Sequence, residues 1–206
     1  GTNRKGLLSY VAIMGLIVPL GFTVSLWLNS TGVAENSILS NTFVVDKFSI
    51  FFKFLFISAV AIIGLISREY VKKLHHLQVE YFALVLFSVT GMMLLSSAVE
   101  LITIYISLEL TAIPIAALAA FLKNSRSSES GMKFLLLSGI SSALLLYGMV
   151  LVYGFTGSTV LGEISAQLRD IGLSETQPFG SYALLMGIVL IIAGFGFKIT
   201  AVPFQM

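Results

Sequence analysis

The sequence has no cysteine and very little charge, and both shortages narrow what the chain can do. Without cysteine it offers no thiolate for an iron–sulfur cluster, no disulfide and no c-type haem attachment. Charged residues make up 11% of the chain and the formal net charge is +2. There is no dense stripe of Lys and Arg of the kind that nucleic-acid binding needs. Any redox chemistry is therefore expected to lie outside this chain, and nucleic acid is not expected as a partner.

Histidine is almost absent as well. His75 and His76 are adjacent in a basic loop, a spacing that does not place two ligands on one helix face. Because these are the two histidines of the sequence, no catalytic set of nucleophile, base and orienting group can be assembled around a histidine. We therefore predict no metal site and no hydrolytic site.

What the chain does have is apolar sequence: 57% of its 206 residues are hydrophobic and the mean hydropathy is +0.98. These values predict an all-α, polytopic membrane helix bundle that forms a single transmembrane domain over residues 1–206. A short amphipathic helix is expected near residues 161–171, and the connection over 29–47 has room for a short extra element. About six apolar segments of spanning length are predicted, at residues 7–28, 48–67, 79–98, 101–122, 132–154 and 181–202.

The charges in the connections sort into two sets that alternate along the chain. One set is basic and consists of Arg4, Lys5, Arg68, Lys72, Lys73, Lys123 and Arg126. The other is mixed and consists of Glu35, Asp46, Lys47, Glu100, Glu163, Arg169, Asp170 and Glu175. By the positive-inside rule the basic set is cytoplasmic. We therefore expect a multi-pass protein of a bacterial plasma membrane, with the lipid bilayer as its surroundings.

The fourth segment contains one charged residue, Glu109, near its middle. A helix of that length spans a hydrocarbon core of about 30 Å, which places Glu109 near the midplane. An acid at the centre of a spanning helix costs roughly 2.5 to 3.5 kcal/mol, and such groups usually have a partner and a function. Glu109 is therefore the first candidate for proton transfer.

Two lysines in apolar segments are the candidate partners. Lys198 follows Gly196 and precedes Pro203, and that proline should kink or unwind the helix around Lys198. Lys133 lies a few residues inside the fifth segment. An acid and a base in contact are both charged, and each tends toward neutrality when they separate, so such a pair can pass a proton.

Several polar residues near these charges are auxiliary candidates. Glu100 opens the fourth helix, where an acid favours the positive end of the helix dipole. Hydroxyl groups could hold bridging waters, although they also serve ordinary helix packing in lipid. These hydroxyl residues are Thr103, Ser107, Thr111, Ser138, Ser141, Ser142 and Thr200.

Taken in order, these stretches resemble the antiporter-like subunits of proton-pumping NADH–quinone oxidoreductase, respiratory complex I, and among them subunit N most. The resemblance rests on residues 80–98, on TIYISLEL at 103–110, on 130–139 with 141–148, and on GFK at 196–198 followed by VPF at 202–204. It implies that Glu109 is the mid-membrane glutamate, Lys198 its pairing lysine on a broken helix, and Lys133 an additional lysine. It also implies that other complex I membrane subunits are partners, and that NADH and quinone are used by the wider complex, with no cofactor in this chain.

Two departures accompany the resemblance. Gln205 stands where many members of the family have a histidine. The family has about fourteen helices, so the resemblance implies a fragment of the N-terminal half that would not pump alone. Two other readings stay open: a subunit of a multisubunit cation/proton antiporter, and a structural membrane scaffold in which Glu109 and Lys198 form a static pair.

Overall fold

The computed structural model describes residues 15–29, 36–38, 42–67, 70–71, 77–171 and 178–200, and over these the chain is a bundle of helices with one small hairpin. The helices confirm the predicted all-α membrane bundle. The hairpin lies in the connection over 29–47, where the sequence left room for a short extra element, but its strands were not predicted. The elements are α1 (Ile17–Asn29), β1 (Asn36–Ile38), β2 (Phe43–Val45), α2 (Lys47–Ile66), α3 (Gln78–Leu95), α4 (Leu101–Ala119), α5 (Ser125–Thr156), α6 (Leu161–Ile171) and α7 (Pro178–Lys198).

Each of the six predicted segments overlaps one helix in the part of the chain that the structure describes. Four helices, α2 to α5, are long and apolar enough to cross a membrane. Two more, α1 and α7, are apolar but shorter within the described part of the chain, over Ile17–Leu28 and Tyr182–Lys198. The amphipathic helix predicted near residues 161–171 is α6.

Side-chain caps explain where two spanning helices begin. Asp46 accepts a hydrogen bond from the Ser49 N–H at 2.7 Å, and Ser49 Oγ accepts one from the Asp46 N–H at 3.1 Å. This reciprocal capping box starts α2. Asn124 accepts from the Ser127 N–H at 2.7 Å and starts α5 at Ser125, earlier than the predicted 132. The apolar pattern marks only the part of a helix that lies in lipid, so it missed the polar first turns of α5.

The hairpin joins a patch of extended backbone at one end of the bundle. The Val44 N–H donates to the Ser97 carbonyl at 2.8 Å, and the Leu101 N–H donates to the Thr159 carbonyl at 2.9 Å. Isolated bridges pair Phe43 with Ala98 and Glu100 with Val160. The connections that precede α2, α4 and α6 therefore meet at the same end.

Aromatic contacts mark the opposite end. The hydroxyls of Ser67 and Tyr81 are 3.1 Å apart, and the rings of Tyr81 and Phe121 pack edge to face with centroids 5.8 Å apart. The ends of α2 and α4 therefore meet the start of α3 there.

Helix α5 packs against both α4 and α7 and so lies between them. Its contact with α7 depends on glycine: a Cβ added at Gly194 would lie 2.8 Å from the Leu145 Cβ, and one added at Gly148 would lie 2.6 Å from the Gly187 carbonyl oxygen. Small residues allow this close backbone approach, as is common between membrane helices. Lys198 lies one turn beyond Gly194, so the close approach of α5 and α7 holds it against the bundle.

Candidate functional site

Two helices that are far apart in sequence meet through a partly buried ion pair. Lys198 Nζ on α7 donates to Glu109 Oε1 on α4 at 2.9 Å. The side chains are 11% and 24% exposed, respectively. Within the described ranges this is the only ion pair between different helices. Attraction between two partly desolvated charges offsets the cost of their desolvation only when the two groups are in close contact.

A third helix takes part in the contact. Ser142, which is buried on α5, donates a hydrogen bond to the same oxygen, Glu109 Oε1. Glu109 therefore receives one donor from α5 and one from α7. Ionised hydrogen bonds of this kind are stronger than neutral ones.

Helix α7 ends directly at the lysine of the pair. The Ile199 N–H still bonds to the Phe195 carbonyl at 2.9 Å, but the Thr200 N–H turns back to the Phe197 carbonyl at 3.2 Å and Thr200 adopts a φ of 51°. A positive φ is strained for a β-branched residue. Lys198 therefore sits at a helix terminus, where it can complement the negative end of the helix dipole.

Only part of the predicted helix break lies within the described residues. Gly196 lies inside α7 and does not interrupt it, because helical hydrogen bonding continues to Ile199. The helix ends at Lys198 and not at the predicted residue 202. Pro203, to which the break was assigned, lies outside the described residues, as does Gln205.

Lys133 does not join the pair. Its Nζ lies 2.7 Å from Glu129 Oε1 on the same helix, and the two side chains are 69% and 63% exposed. Lys133 and Ser142 are separated by two and a half turns of α5, so they project from opposite faces. Lys133 is therefore not in contact with the Glu109–Lys198 pair in this structure, and its part in proton transfer stays a prediction.

Of the auxiliary candidates, Ser107 and Thr111 face α3. Thr111 Oγ1 donates to the Ser107 carbonyl at 2.9 Å, and a Cβ added at Gly91 on α3 would lie 2.5 Å from Thr111 Oγ1. Ser107 Oγ is buried without a hydrogen-bond partner among the residues that the structure describes. Ser138 accepts from Ser141 Oγ at its carbonyl, at 3.1 Å.

A cavity of about 360 Å³ adjoins Lys198. It lies between α3, α4, α5 and the end of α7, and its polar lining includes Thr111, Ser138 and Thr200. Most of its other lining residues are apolar, so water would find polar partners there only at Lys198 and the hydroxyl residues of the lining. Lys198 can exchange a proton with water held at that place.

Glu100 forms a second polar site at the end of the bundle that carries the hairpin. Its Oε2 accepts from Thr103 Oγ1 at 2.9 Å and its Oε1 from Thr159 Oγ1 at 2.8 Å. Although Glu100 is the N-cap residue of α4, its side chain accepts no capping hydrogen bond from the backbone N–H groups of the first turn. Its carboxylate instead links α4 to the turn before α6. Within the described ranges no group of His, Cys, Asp or Glu is arranged to hold a metal ion.

Comparison with known proteins decides the family. The family model described as the transmembrane region of NADH:quinone oxidoreductase and Mrp antiporter subunits matches residues 98–206, which include both residues of the pair. The chain belongs to this family. The predicted resemblance to the antiporter-like subunits of complex I is confirmed, and so is a multi-pass membrane location.

Individual relatives of this antiporter-family chain agree with the match. It is 40% identical over 205 residues to the NADH-quinone oxidoreductase subunit N of Desulforamulus reducens, covering 99% of the chain and 40% of the relative. It is 37% identical over 208 residues to the F(420)H(2) dehydrogenase subunit N of Methanosarcina mazei, covering 99% and 41%. A chain of respiratory complex I from Thermus thermophilus with bound aureothin matches with a TM-score of 0.71 and 27% identity, covering 96% and 40%.

The chain spans about 40% of the length of these relatives. Its fold and family are thus established, whereas the activity and partners of the whole protein belong to the proposal below.

Ser142 could not be singled out from the sequence. It was one of several hydroxyls in apolar segments, and nothing in its neighbours along the chain distinguishes it from Ser141. Only the packing of α5 between α4 and α7 reveals which hydroxyl reaches the carboxylate.

Proposed function

We propose that this chain is part of the proton-translocating membrane subunit N of a respiratory NADH–quinone oxidoreductase, and that Glu109 and Lys198 carry the proton. The observation that supports this best is the 2.9 Å contact between the two partly buried side chains, beside a cavity that Lys198 and several hydroxyl residues line. Quinone reduction elsewhere in the complex would drive the step. The other membrane subunits are its partners, in a bacterial plasma membrane with the basic loops cytoplasmic.

The proton step follows from the chemistry of the pair. When Lys198 and Glu109 touch, one is an ammonium and the other a carboxylate. Transfer of one proton from Lys198 to Glu109 leaves a neutral amine and a neutral acid, and nothing else changes. Water in the cavity can then reprotonate Lys198, while Glu109 can release its proton onward. Electron transfer need only change the free energy of separating the pair.

The variant Glu109→Gln in the assembled complex tests the proposal. The amide keeps the shape of the side chain but cannot accept and release a proton, so NADH-driven proton uptake into membrane vesicles should fall by at least roughly tenfold, as loss of a proton-transfer group typically costs. Glu80→Gln is the matched control, because Glu80 is an exposed acid in the first turn of α3. Wild-type proton uptake by an assembled Glu109→Gln complex would contradict the proposal and favour the static scaffold.

A second candidate is a subunit of a multisubunit cation/proton antiporter. The description of the matching family model covers Mrp antiporters as well as NADH:quinone oxidoreductases, and the same acid–base pair would serve both. Sodium-dependent proton movement in vesicles without NADH oxidation would favour the antiporter. Proton uptake that requires NADH oxidation and quinone would favour complex I.

A further inference from the structure

Ser142 differs from the other buried hydroxyls of α5 in the direction of its hydrogen bond. Ser141 Oγ donates to the Ser138 carbonyl at 3.1 Å, and Thr156 Oγ1 donates to the Val152 carbonyl at 2.9 Å, both within their own helix. Ser142 Oγ instead donates across to Glu109 on α4. A serine in a helix readily bonds the carbonyl three or four residues back, so the contact between helices calls for a cause.

Packing on either side of Ser142 fixes where its hydroxyl lies. Leu145, three residues on along the same face of α5, has no exposed surface and packs against the backbone of α7 at Gly194. Ser142 itself is 5% exposed. The hydroxyl therefore lies on the face of α5 that meets α7, within reach of the acid on α4 and beside the lysine on α7.

We propose that Ser142 is a positioning residue for proton transfer: its hydroxyl holds Glu109 Oε1 where Lys198 can reach it. This rests on the proposed function, because it assigns a role within the same pair. The supporting observation is that Ser142 Oγ and Lys198 Nζ both donate to the same oxygen of Glu109. When Lys198 withdraws, the serine remains as a donor, so the carboxylate keeps its orientation until the lysine returns.

The test is Ser142→Ala in the assembled complex, with Ser141→Ala as the matched control. Both substitutions remove a buried hydroxyl from the same helix, but only the first removes a donor from Glu109. The infrared carboxyl signal of Glu109 is isolated by subtracting the spectrum of the same complex that also carries Glu109→Gln. NADH-driven proton uptake is measured on the same membranes, together with the amount of assembled complex.

We expect Ser142→Ala to shift the Glu109 carboxyl band and to slow proton uptake roughly tenfold, at the low end of what a hydrogen bond to a charged group contributes. Ser141→Ala should leave the Glu109 band at its wild-type frequency. A wild-type Glu109 band in the Ser142→Ala complex would overturn the inference, as would an equal shift in both variants.

If Ser142→Ala lowers assembly, Ser142→Cys is measured in the same way, because a thiol occupies similar space and is a weaker donor. A shifted band in that variant supports the positioning role, and an unshifted band overturns it. The outcome is separable from that of the proposed function. Wild-type proton uptake in Glu109→Gln would overturn proton transfer by the pair, whereas an unshifted band in the serine variants would overturn only the role of Ser142.

Discussion

Replacing Gly194 with alanine should separate α5 from α7 and weaken the ion pair without changing Glu109 or Lys198. The added methyl carbon would lie 2.8 Å from Leu145 Cβ and 3.0 Å from Leu145 Cα. Carbon atoms pack best at about 3.5 to 4.0 Å, so the two helices must move apart by roughly 0.7 to 1.2 Å. Because backbone atoms bound the space, a change of rotamer cannot relieve the contact.

The displacement reaches Lys198 because that residue is one turn, about 6 Å along the axis, beyond Gly194. A contact of 2.9 Å would lengthen to about 3.6 Å or more, outside the hydrogen-bonding range. Overpacking of this kind costs about 1 to 3 kcal/mol, and the better helix propensity of alanine offsets up to about 1 kcal/mol of it. Taking about 2 kcal/mol, the middle of the overpacking range, about 1 to 2 kcal/mol remains after that offset. Carried over in full to pair formation, this loss corresponds to a fall in proton uptake of roughly 5- to 30-fold.

The assay is NADH-driven proton uptake per assembled complex, together with the thermal midpoint of the complex. Gly139→Ala on α5 is the matched control, because a Cβ at Gly139 would meet no atom within 4 Å. Uptake in Gly139→Ala should match the wild type, and its thermal midpoint should be no lower, because alanine favours a helix more than glycine does. Wild-type uptake in Gly194→Ala would refute the reasoning that close approach of α5 and α7 holds Lys198 in place.

Two further substitutions test the polar contacts outside the pair. Glu100→Gln should lower the free energy of unfolding by about 1 kcal/mol, because the two threonine hydroxyls donate to different carboxylate oxygens and one of them would then face an amide NH2, which cannot accept. An unchanged thermal midpoint would show that the carboxylate does not link α4 to the turn before α6. Lys133→Ala should change that free energy by less than about 0.5 kcal/mol, because both Lys133 and its partner Glu129 are largely exposed. A clear loss of stability in the second variant would mean that this ion pair is buried in the assembled protein.

Much of the helical architecture could be predicted because lipid imposes length and apolarity on every span. Helices α2, α3 and α4 begin within a residue of the predicted positions. Helix α5 was predicted too short, because its first turns are polar and depend on the Asn124 cap. The hairpin escaped prediction because its strands of three residues are stabilised by pairing with each other and with Ala98, which no local pattern reveals.

The residues of the candidate site could also be predicted only in part from the sequence. Glu109 and Lys198 could be identified from sequence because a charge in an apolar helix is costly and therefore conspicuous. Lys133 met the same criterion but lies on the opposite face of α5, which only the exact helix register and neighbours determine. Ser142 carries no charge, so its role became visible only when three helices were placed together.

The most direct measurement of the central claim is proton uptake in a double-mutant cycle of Glu109→Gln, Lys198→Met and the two combined, all in assembled complex. If the two residues pass one proton as a unit, each single variant should abolish most of the uptake, and the double variant should be no worse than the poorer single variant. Losses that multiply in the double variant would show that the residues act independently, and would contradict proton transfer through the Glu109–Lys198 pair.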